Sequence, residues 1–407
     1  MRLTGLENLN FILSYLGSNR TLAVGVSGGA DSLYLTLLLH QWCQQNDVSL
    51  VALTVDHKLR PESSEEAKWL KSFLRSYNIL HETLPWQHLD VETKIQEQAR
   101  AARYALLINY CKLHNITAIC MAHHLEDQWE TFMMRLAHGS GSAGLGAMSS
   151  VSTKDSIFIF RPLLQTSKTQ IISELRKFTS IWIEDPSNQN DHYERIQFRN
   201  KYKNFEQLGL SSTNIQKSIT KLQQEGKALD FYAKRFLSEH ITVDGLGYAY
   251  CNFNEFQKLP SATQYRVAVR TGTMIGGLFE SYPPRVRTVK NLLKTLPKTT
   301  TCMGCLWTVR EGNLYTIREP NRATQETFIH PNEIILWDNR LLVRSSFGGV
   351  LKTLGQKGWL QVKKQLSEVP PIPVEAIYSS VALWNGEKVT RHILTENYPA
   401  ILISFIF

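Results

Sequence analysis

The sequence predicts an α/β fold in its first half, followed by a mostly helical middle domain and a small α+β C-terminal domain. Three observations support this prediction. Short apolar runs alternate with amphipathic stretches of helical spacing over residues 20–205. Helical periodicity rich in Lys and Gln follows at 211–240, and shorter strand-like runs return after residue 300. Strands that alternate with helices indicate a parallel sheet covered on both faces.

The elements of the first half can be assigned in chain order from their spacing. Apolar runs of strand length occur at 22–26, 50–55, 79–84 and 117–121. Amphipathic stretches of helical length occur at 31–44, 65–77, 93–114 and 126–138. Because each strand is followed by a helix, these elements predict repeated crossover units and therefore a parallel sheet.

The second half has a different pattern, with one long helix and several short strands. Strand-like runs occur at 305–309, 314–317, 334–337 and, at the apolar end of the chain, 400–407. A chain of 407 residues suggests two or three domains at ~150 residues each. From the change of pattern we predict three domains, at 1–208, 209–320 and 321–407.

Composition excludes several classes of protein. With 43% hydrophobic and 20% charged residues, the chain is neither disordered nor fibrous. Its longest apolar run, 400–407, is shorter than the ~20 residues that a bilayer requires, so we expect no membrane span and a cytoplasmic location. Six cysteines are too few and too scattered for a disulfide framework. Cys302 and Cys305 form a CxxC pair without a second pair, so we interpret them as ordinary thiols, with metal or redox use as the alternative.

The charge is unevenly distributed along the chain. Residues 1–210 contain 21 basic and 21 acidic side chains, whereas residues 211–407 contain 24 and 15, which accounts for the whole net charge of +9. Between residues 256 and 300 there are eight basic residues and a single acid, Glu280. Such an asymmetry predicts a surface for a polyanion beside a neutral first domain. A solvated basic face without a partner is the alternative.

The strongest local signal is a glycine-rich loop between the first strand and the first helix. Its residues are Ser27, Gly28, Gly29, Ala30, Asp31 and Ser32. Two glycines let the backbone approach an anion closely, and the following helix N-terminus directs free N–H groups at it. Asp31 would repel a bare phosphate, so we expect it to hold Mg²⁺ on a pyrophosphate group. No Lys follows the loop, which argues against γ-phosphoryl transfer of the Walker type; a plain turn capped by Asp is the alternative.

Further polar residues follow the other strands at the edge where parallel sheets bind ligands. Asp56 and His57 follow the second strand, and His123 follows the fourth. Asp127 and Glu130 lie three residues apart on one face of the next helix. Carboxylates so placed can bind an ammonium group and accept its proton. A solvated first helical turn is the alternative, and in either case we expect surface character and a cost below ~1 kcal/mol when either carboxylate is replaced by Ala.

Taken together and in order, these motifs resemble the tRNA(Ile)-lysidine synthetase family of PP-loop ATP pyrophosphatases. The resemblance is close over about 20–205 and weaker beyond. It is carried by the segments 27–32, 55–63, 97–104, 122–131, 138–145, 161–164 and 182–188, and by Arg195 and Arg199. Glu126 stands where the family usually has Asp, which leaves its role open.

The resemblance implies a Rossmann-like five-stranded sheet, ATP and Mg²⁺ as cofactors, and a ligase that forms a carbon–nitrogen bond. In the family, ATP activates the C2 carbonyl of the wobble cytidine of tRNA(Ile) with a CAU anticodon. Free L-lysine then displaces AMP, and lysidine forms. The sequence does not give the oligomeric state, and a homodimer is kept open as one assembly.

The resemblance assigns roles to individual residues as well. The expected catalytic residues are Asp31, Asp127, Glu130, Arg103, His123 and Arg199. The expected nucleotide-binding residues are Ser27, Gly28, Gly29, Ala30, Asp31, Ser32, Asp56 and His57, with Asp31 as the metal ligand. A phosphate clamp or tRNA contact is expected for Arg195 and Arg199, or else a surface helix paired with Glu194. A mobile loop that closes over the site is expected at Gly139, Gly141 and Gly144.

Two other functions remain open from the sequence. A tRNA thiolase of the same superfamily would need catalytic or cluster-binding cysteines near the loop. Cys43, Cys111 and Cys120 instead fall within predicted helices or strands. A tRNA-binding protein without catalysis is the second alternative, and the retained Asp31, Asp127 and Glu130 argue against it.

Overall fold

The computed structural model describes residues 6–58, 63–87, 95–184, 194–277, 284, 286–322, 326–395 and 401–405. The motif residues 59–62 and 185–188, positions 280, 285 and 323–325, and the chain ends at 400 and 406–407 lie outside the described residues. By its contacts the chain divides into two compact units, Met1–Gly226 and Lys227–Phe407. The division into three domains at 208 and 320 stays a prediction.

The first unit opens with a 3₁₀ helix at Leu6–Tyr15 and continues with alternating strands and helices. Its described strands are β1 (Thr21–Gly25), β2 (Ser49–Asp56), β3 (Leu80–Pro85), β4 (Ala118–Cys120), β5 (Val151–Lys154) and β6 (Ile157–Phe160). Its described helices are α1 (Ala30–Asn46), α2 (Ser63–Ser76), α3 (Ile95–Leu113), α4 (Leu125–Ala137), α5 (Ser142–Leu145), α6 (Lys168–Leu175), α7 (Glu194–Asn200), α8 (Tyr202–Gln207) and the start of α9 (Ser212–His240). The strands and helices predicted up to residue 138 are confirmed.

The described strands of the first unit form one sheet in the order β3-β2-β1-β4-β6-β5. In this spatial order the five strands from β3 to β6 are parallel, as the family resemblance implies. Strand β5 pairs with β6 as an antiparallel edge. Leu22 and Val24 of β1 enter the core on one face of the sheet and Ala23 enters the core on the other. The chain moves outward from β1 to β3 and then returns to place β4 on the other side of β1. Ligands bind at such a reversal, beyond the carboxyl ends of the strands.

The hairpin of β5 and β6 was not assigned from the sequence. Its strands have four residues each, and β6 reads Ile-Phe-Ile-Phe without alternation. The turn between them consists of Asp155 and Ser156, both with positive φ (50° and 67°). A two-residue turn of this kind is typical of hairpins, so the local signal was present but short.

Helix α4 is fastened to the helices that end the first unit by an apolar cluster. Trp129, Phe132 and Met133 of α4 pack with Ile215 and Ile219 of α9. The Trp129 Nε1–H donates to the Leu210 carbonyl at 2.7 Å, which satisfies its one polar atom. Helix α7 also packs on α4. This packing positions the side chains of α7 against the polar face of α4.

The second unit consists mainly of antiparallel sheets. Its described strands are β7 (Thr242–Val243), β8 (Ala249–Asn252), β9 (Thr300–Cys302), β10 (Cys305–Arg310), β11 (Asn313–Arg318), β12 (Thr327–Ile329), β13 (Ile334–Trp337), β14 (Leu341–Ser345), β15 (Gly349–Thr353), β16 (Val381–Asn385), β17 (Lys388–Arg391) and β18 (Ile401–Phe405). Its described helices are the end of α9, α10 (Phe253–Lys258), α11 (Ser261–Gly276), α12 (Val286–Thr295), α13 (Gly355–Val362) and α14 (Val374–Ser379). The described strands form sheets of five (β7-β8-β11-β10-β9), four (β12-β15-β16-β17) and three (β13-β14-β18).

The predicted fold class is confirmed, and the structure adds a five-stranded sheet to the helical middle region. Helices α10, α11 and α12 share a core with that sheet, built around Val267, Val289 and Trp307. None of the helices in the described part of the chain has the length and apolar character that crossing a bilayer requires.

The two cysteines of the CxxC pair face each other across the β9–β10 hairpin, and both are free and buried. Burial raises the pKa of the Cys305 thiol to about 12 and also raises the pKa of Cys302. Nowhere in the described ranges do three or more His, Cys, Asp or Glu side chains gather as a metal site. These facts support the interpretation of Cys302 and Cys305 as ordinary thiols.

We expect the second unit to lose stability as the pH falls below about 6.5, because His392 is buried in its neutral form. Its Nδ1 accepts the Leu394 N–H at 3.3 Å and its Nε2 lies 2.8 Å from Ser380 Oγ, and burial lowers its pKa to about 4. The unfolded chain takes up a proton at pH ~6.5 and the folded chain does not, so about 2 kcal/mol is lost by pH 5. Urea unfolding from pH 7.5 to 5 should show a shallower decline for His392→Gln; an unchanged decline would contradict the assignment.

Candidate active site

The glycine-rich loop connects the carboxyl end of β1 to the N-terminus of α1. Val26 N–H donates to the Leu53 carbonyl at 2.9 Å and so continues the sheet up to the loop. Ser32 Oγ accepts from the Ser27 N–H at 3.1 Å and donates to the Gly29 carbonyl at 2.9 Å. Gly29 is the N-cap of α1 and provides no side chain to cap it. The first N–H groups of α1 therefore lie at the sheet edge as an anion-binding end, and Ser32 shapes the loop from inside.

Gly28 is the position of the loop that requires glycine. Its φ is +83°, and its carbonyl accepts the Ile183 N–H at 3.0 Å. A Cβ at this position would lie 2.3 Å from Ile183 Cδ1, which is too close for two carbon atoms. Gly29 has an extended φ of −71°, and a Cβ there would meet nothing closer than 3.6 Å. Gly29 therefore has room for a side chain, whereas Gly28 does not.

We expect Gly28→Ala to lower the free energy of unfolding by about 2–3 kcal/mol, because it combines a left-handed backbone with a steric clash. Gly29→Ala should change it by less than about 1 kcal/mol and provides a matched control. Thermal and urea unfolding of the two variants measure this difference. Equal stabilities would show that the loop does not hold the conformation described here.

Asp31 lies in the first turn of α1, beside the loop. Its Oδ2 accepts a hydrogen bond from Lys168 Nζ at 2.5 Å and lies 3.8 Å from His124 Nε2. Its Oδ1 is buried and has no hydrogen-bond partner in the described structure. A carboxylate oxygen left open beside an anion-binding loop fits Mg²⁺, which prefers oxygen ligands and is usually shared with phosphate groups and waters. No group of three or more His, Cys, Asp or Glu side chains that could hold a metal ion is found among the described residues.

The N-terminus of α4 forms the opposite wall of the site, after β4. His124 is its N-cap, and its N–H donates to Asp127 Oδ2 at 2.9 Å. The His124 Nδ1–H donates to Glu126 at 2.9 Å. Burial by itself would lower the pKa of His124, but the hydrogen bond to Glu126 and the charges of Asp127 and Asp31 outweigh it and raise this pKa. The His124 side chain thus connects the carboxylates of α4 to Asp31.

Asp127 and Glu130 are paired with two arginines of α7. Arg195 Nη2 lies 2.5 Å from Asp127 Oδ1, Arg195 Nε also binds Glu130, and Arg199 Nε lies 2.7 Å from Glu130 Oε1. Burial raises the pKa of Asp127, but the charges of His124 and Arg195 prevail and lower it, so this carboxyl is ionised at neutral pH. Glu130 is only 1% exposed.

The expected surface character of Glu130 was therefore wrong. A helix start is usually solvated, and the expectation relied on that rule. Here α7 packs on α4 and covers its polar face, so Glu130 becomes a buried counter-ion of Arg195 and Arg199. The alternative pairing of this arginine helix with Glu194 is not the arrangement found for either arginine, because Glu194 contacts His138 at 3.0 Å instead.

His123 and Arg103 lie in the same neighbourhood. Burial lowers the pKa of His123 to about 3 despite the charge of Asp127, so its imidazole is neutral. Burial also lowers the pKa of Arg103, and the nearby charges of Arg100 and Arg195 lower it further. His123 Nδ1 and Arg103 Nε are buried without a hydrogen-bond partner among the described residues. An orphaned buried polar atom calls for an explanation, and a bound ligand is one such explanation.

The remaining predicted residues, Asp56 and His57, lie on the other side of the loop, at the carboxyl end of β2. Asp56 Oδ1 accepts the Lys58 N–H at 3.0 Å, and the His57 ring packs edge-on against Trp86. Since β1 lies between β2 and β4, these residues flank the loop on the side opposite to His123. The sheet therefore brings all the predicted site residues of the strand ends to one edge.

Sequence analysis did not identify one contributor to this site, Lys168, and left the role of another, Glu126, open. Lys168 contacts Asp31, and Glu126 accepts the Lys168 N–H at 3.0 Å. A local signal existed for Lys168, because Ser167 and Gln170 form a capping box that starts α6 at this residue. No local signal showed that the N-terminus of α6 would lie beside the glycine-rich loop.

The segment at Gly139–Gly144 was expected to close over the site as a mobile loop. The structure instead ties its C-terminal part to α4. Arg135 Nη1 donates to the Gly144 and Ala147 carbonyls at 2.7 and 2.9 Å, and Gln128 exchanges two hydrogen bonds with the Met148 backbone at 2.8 Å each. These bonds fasten the C-terminal end of the segment to α4, and closure of the segment over the site stays a prediction.

Comparison with known proteins places this site in a family. Residues 6–204 match the family model of the PP-loop domain, whose members use ATP. A relative from Wolbachia pipientis wMel, named tRNA(Ile)-lysidine synthase, is 35% identical over 81% of this chain and 78% of the relative. The chain belongs to the tRNA(Ile)-lysidine synthase family. Another tRNA(Ile)-lysidine synthase, from Ruegeria pomeroyi, is 31% identical over 90% of this chain and 87% of the relative.

A solved structure of the U34-tRNA thiolase NcsA from Methanococcus maripaludis, with its 4Fe–4S cluster, covers 54% of this chain and 77% of its own. Its TM-score of 0.46 and identity of 18% are too low to bear on activity. The cysteines of the first unit need no role beyond the chemistry of a lysidine synthase. Burial raises the pKa of Cys43 and Cys111 to about 12 and also raises the pKa of Cys120 well above its usual value, so none is a ready thiolate.

Proposed function

We propose that this protein joins L-lysine to C2 of the wobble cytidine in tRNA(Ile) with a CAU anticodon and forms lysidine. The reaction consumes ATP and releases AMP and pyrophosphate. Membership of the lysidine synthase family supports the reaction, and one structural observation supports its location. The anion-binding loop after β1 and the charged cluster after β4 meet at the same edge of the sheet, where Asp31 contacts both Lys168 and His124.

The chemistry explains why two sets of groups are needed. The cytidine O2 attacks the α-phosphorus of ATP, pyrophosphate leaves, and the adenylated C2 becomes open to attack. The lysine ammonium releases a proton to solvent, its Nε then bonds to C2, and AMP departs with the oxygen. Each step handles a poor nucleophile or a poor leaving group, so positioning and charge must provide most of the acceleration.

The residues of this chain divide between these tasks. The loop binds the phosphate tail through backbone N–H groups, and Asp31 is the carboxylate that would hold Mg²⁺, which neutralises the departing pyrophosphate when bound. Asp127 is an ionised acceptor that can hold the lysine ammonium, but its lowered pKa makes it a weak proton acceptor. Neutral His123 and the unpaired Arg103 Nε are placed to bind the nucleotide or the cytidine. Arg195 and Arg199 hold the carboxylates in place.

The thiolase alternative is not favoured. It requires a thiolate or a cluster ligand near the loop, and the three cysteines of this unit are buried with raised pKa values. Labelled sulfide should therefore not be incorporated into tRNA by this protein. A cytoplasmic location and a homodimer are part of the proposal; cell fractionation and light scattering test them.

Helix α12 of the second unit supports the binding of a polyanion. Val289 and Leu292 are buried, whereas Arg287, Lys290 and Lys294 are exposed along one side of the helix. A cavity of about 470 Å³ adjoins this side and is lined by polar groups that can donate to phosphate. The lining includes Arg287, Thr288, Asn291, Thr295, Thr300 and Thr301. We propose this surface as a contact for the tRNA backbone.

We expect tRNA affinity to fall steeply with salt, and to fall less steeply when Lys290 and Lys294 are replaced by Gln. Each lost phosphate contact should reduce the slope of log K against log salt by about 1. Filter binding between 50 and 300 mM salt measures this, with Lys112→Gln, an exposed lysine of the first unit, as a control. A slope close to zero in the unchanged protein would refute the proposed surface.

The reaction itself is tested by incubation with ATP, labelled lysine and a transcript of the minor tRNA(Ile), followed by nucleoside analysis. We expect label in a modified cytidine. AMP and pyrophosphate should be released in equal amounts over many turnovers, and sustained release should require both lysine and tRNA. A tRNA transcript with its wobble cytidine replaced by uridine is the control. Absence of label with intact ATP binding would reject the ligase and leave a tRNA-binding protein.

A further inference from the structure

The phosphate-binding loop contains no lysine, yet the fold brings one to it from another element. Lys168 is the first residue of α6 and is 137 positions from Asp31 in the chain. Its Nζ lies 2.5 Å from Asp31 Oδ2, in the first turn of the helix that follows the loop. No part of the family resemblance assigned a role to this residue.

The backbone of Lys168 is held firmly. Its N–H donates to Glu126 at 3.0 Å, and the Ser167–Gln170 capping box fixes the start of α6. Ile171 and Leu175 bury the opposite side of α6 in the core that α1 shares. The side chain of Lys168, by contrast, is 39% exposed. A fixed backbone with a solvent-accessible ammonium can serve an anion at the loop without disturbing the fold.

Charge explains why such a lysine is needed. The residues 27–32 carry one charged side chain, Asp31, which is negative, and the tail of ATP is strongly negative as well. Backbone N–H groups supply only partial charges at the start of α1. We propose that Lys168 is the phosphate-binding cation of this loop, and that its ammonium is shared between Asp31 and the phosphate tail of ATP. The proposal rests on the proposed use of ATP and extends it to a residue outside the loop.

A purely structural ion pair would have other consequences. If Lys168 served only to neutralise Asp31, removing it would alter stability or the position of α6 but would not discriminate between nucleotides. If Lys168 binds phosphate, its loss should weaken the binding of ATP and leave the binding of adenosine unchanged, because adenosine has no phosphate. The two roles also predict different results for Asp31→Asn, which removes the carboxylate partner of Lys168. If Lys168 binds phosphate, its freed ammonium should strengthen ATP binding.

The test is nucleotide binding by calorimetry, without lysine or tRNA, in EDTA and again in Mg²⁺. In EDTA we expect Lys168→Met to weaken ATP binding about 10- to 100-fold and Lys168→Arg to recover most of this loss. Asp31→Asn should strengthen ATP binding about tenfold. Adenosine should bind all variants alike. Lys177→Met is the matched control, since Lys177 lies just past α6 and forms a 2.5 Å ion pair with Glu174.

The outcomes separate this proposal from the proposed function. Unchanged ATP binding by Lys168→Met, or an equal loss for ATP and adenosine, would overturn the role of Lys168 while leaving lysidine formation untouched. Conversely, the expected binding pattern in a protein that forms no lysidine would retain the phosphate-binding role and reject the ligase. An effect of Lys177→Met equal to that of Lys168→Met would also overturn the proposal.

Discussion

Replacing Glu130 with Ala is expected to abolish lysidine formation and to lower the free energy of unfolding by about 2–4 kcal/mol. The carboxylate is 1% exposed and pairs with both Arg195 and Arg199. Its removal leaves Arg199 without its counter-ion and Arg195 with Asp127 alone, so that α7 is held less firmly on α4. The arginines are partly exposed (33% and 44%), so water compensates part of the loss and the cost stays below that of a fully buried pair.

The comparison variant is Glu239→Ala, which removes an exposed Arg–Glu pair of α9 and should cost less than about 0.5 kcal/mol. Adding Arg199→Leu to Glu130→Ala should recover part of the stability, because one unpaired charge is removed, but no activity. Urea unfolding and the labelled-lysine assay measure both quantities. If Glu130→Ala were as stable as Glu239→Ala, the buried ion cluster would not exist in solution.

Asp31→Asn is expected to lower the Mg²⁺-dependent turnover of ATP by about 10²–10³-fold, while stability changes by less than about 1 kcal/mol. The amide keeps the shape of the side chain but is a far weaker ligand for Mg²⁺. Asp31 Oδ1 is the buried carboxylate oxygen without a hydrogen-bond partner in the described structure, so it is the oxygen that would bind the metal. Pyrophosphate release, measured against Mg²⁺ concentration with lysine and tRNA present, is the readout.

Asp47→Asn provides the control for Asp31→Asn. Asp47 is the C-cap of the same helix, is exposed, and adopts a left-handed conformation that Asn tolerates well. Its substitution should leave turnover unchanged. Full Mg²⁺-dependent turnover by Asp31→Asn would remove this residue from the mechanism.

The elements of the first unit were predictable because their signals are local. Helix α1 and strands β1 and β2 follow from spacing within ten or twenty residues, and the loop follows from two glycines between a strand and a helix. The β5–β6 hairpin escaped because four-residue strands carry little pattern. The five-stranded sheet of the second unit was only partly predicted for a similar reason, since β7 and β8 are short and separated from β9–β11 by three helices.

The sequence by itself determined the α/β class, the glycine-rich loop between β1 and α1 and the family resemblance, because backbone conformation and helix starts depend on neighbouring residues. Only the tertiary structure decided which charges meet. Glu130 and Arg195 are 65 positions apart, and Asp31 and Lys168 are 137 apart. Ion pairs of this kind depend on α7 packing on α4 and on α6 packing on α1. The apolar contacts that cause this packing join residues far apart in the chain, so the spacing of neighbouring residues does not predict them.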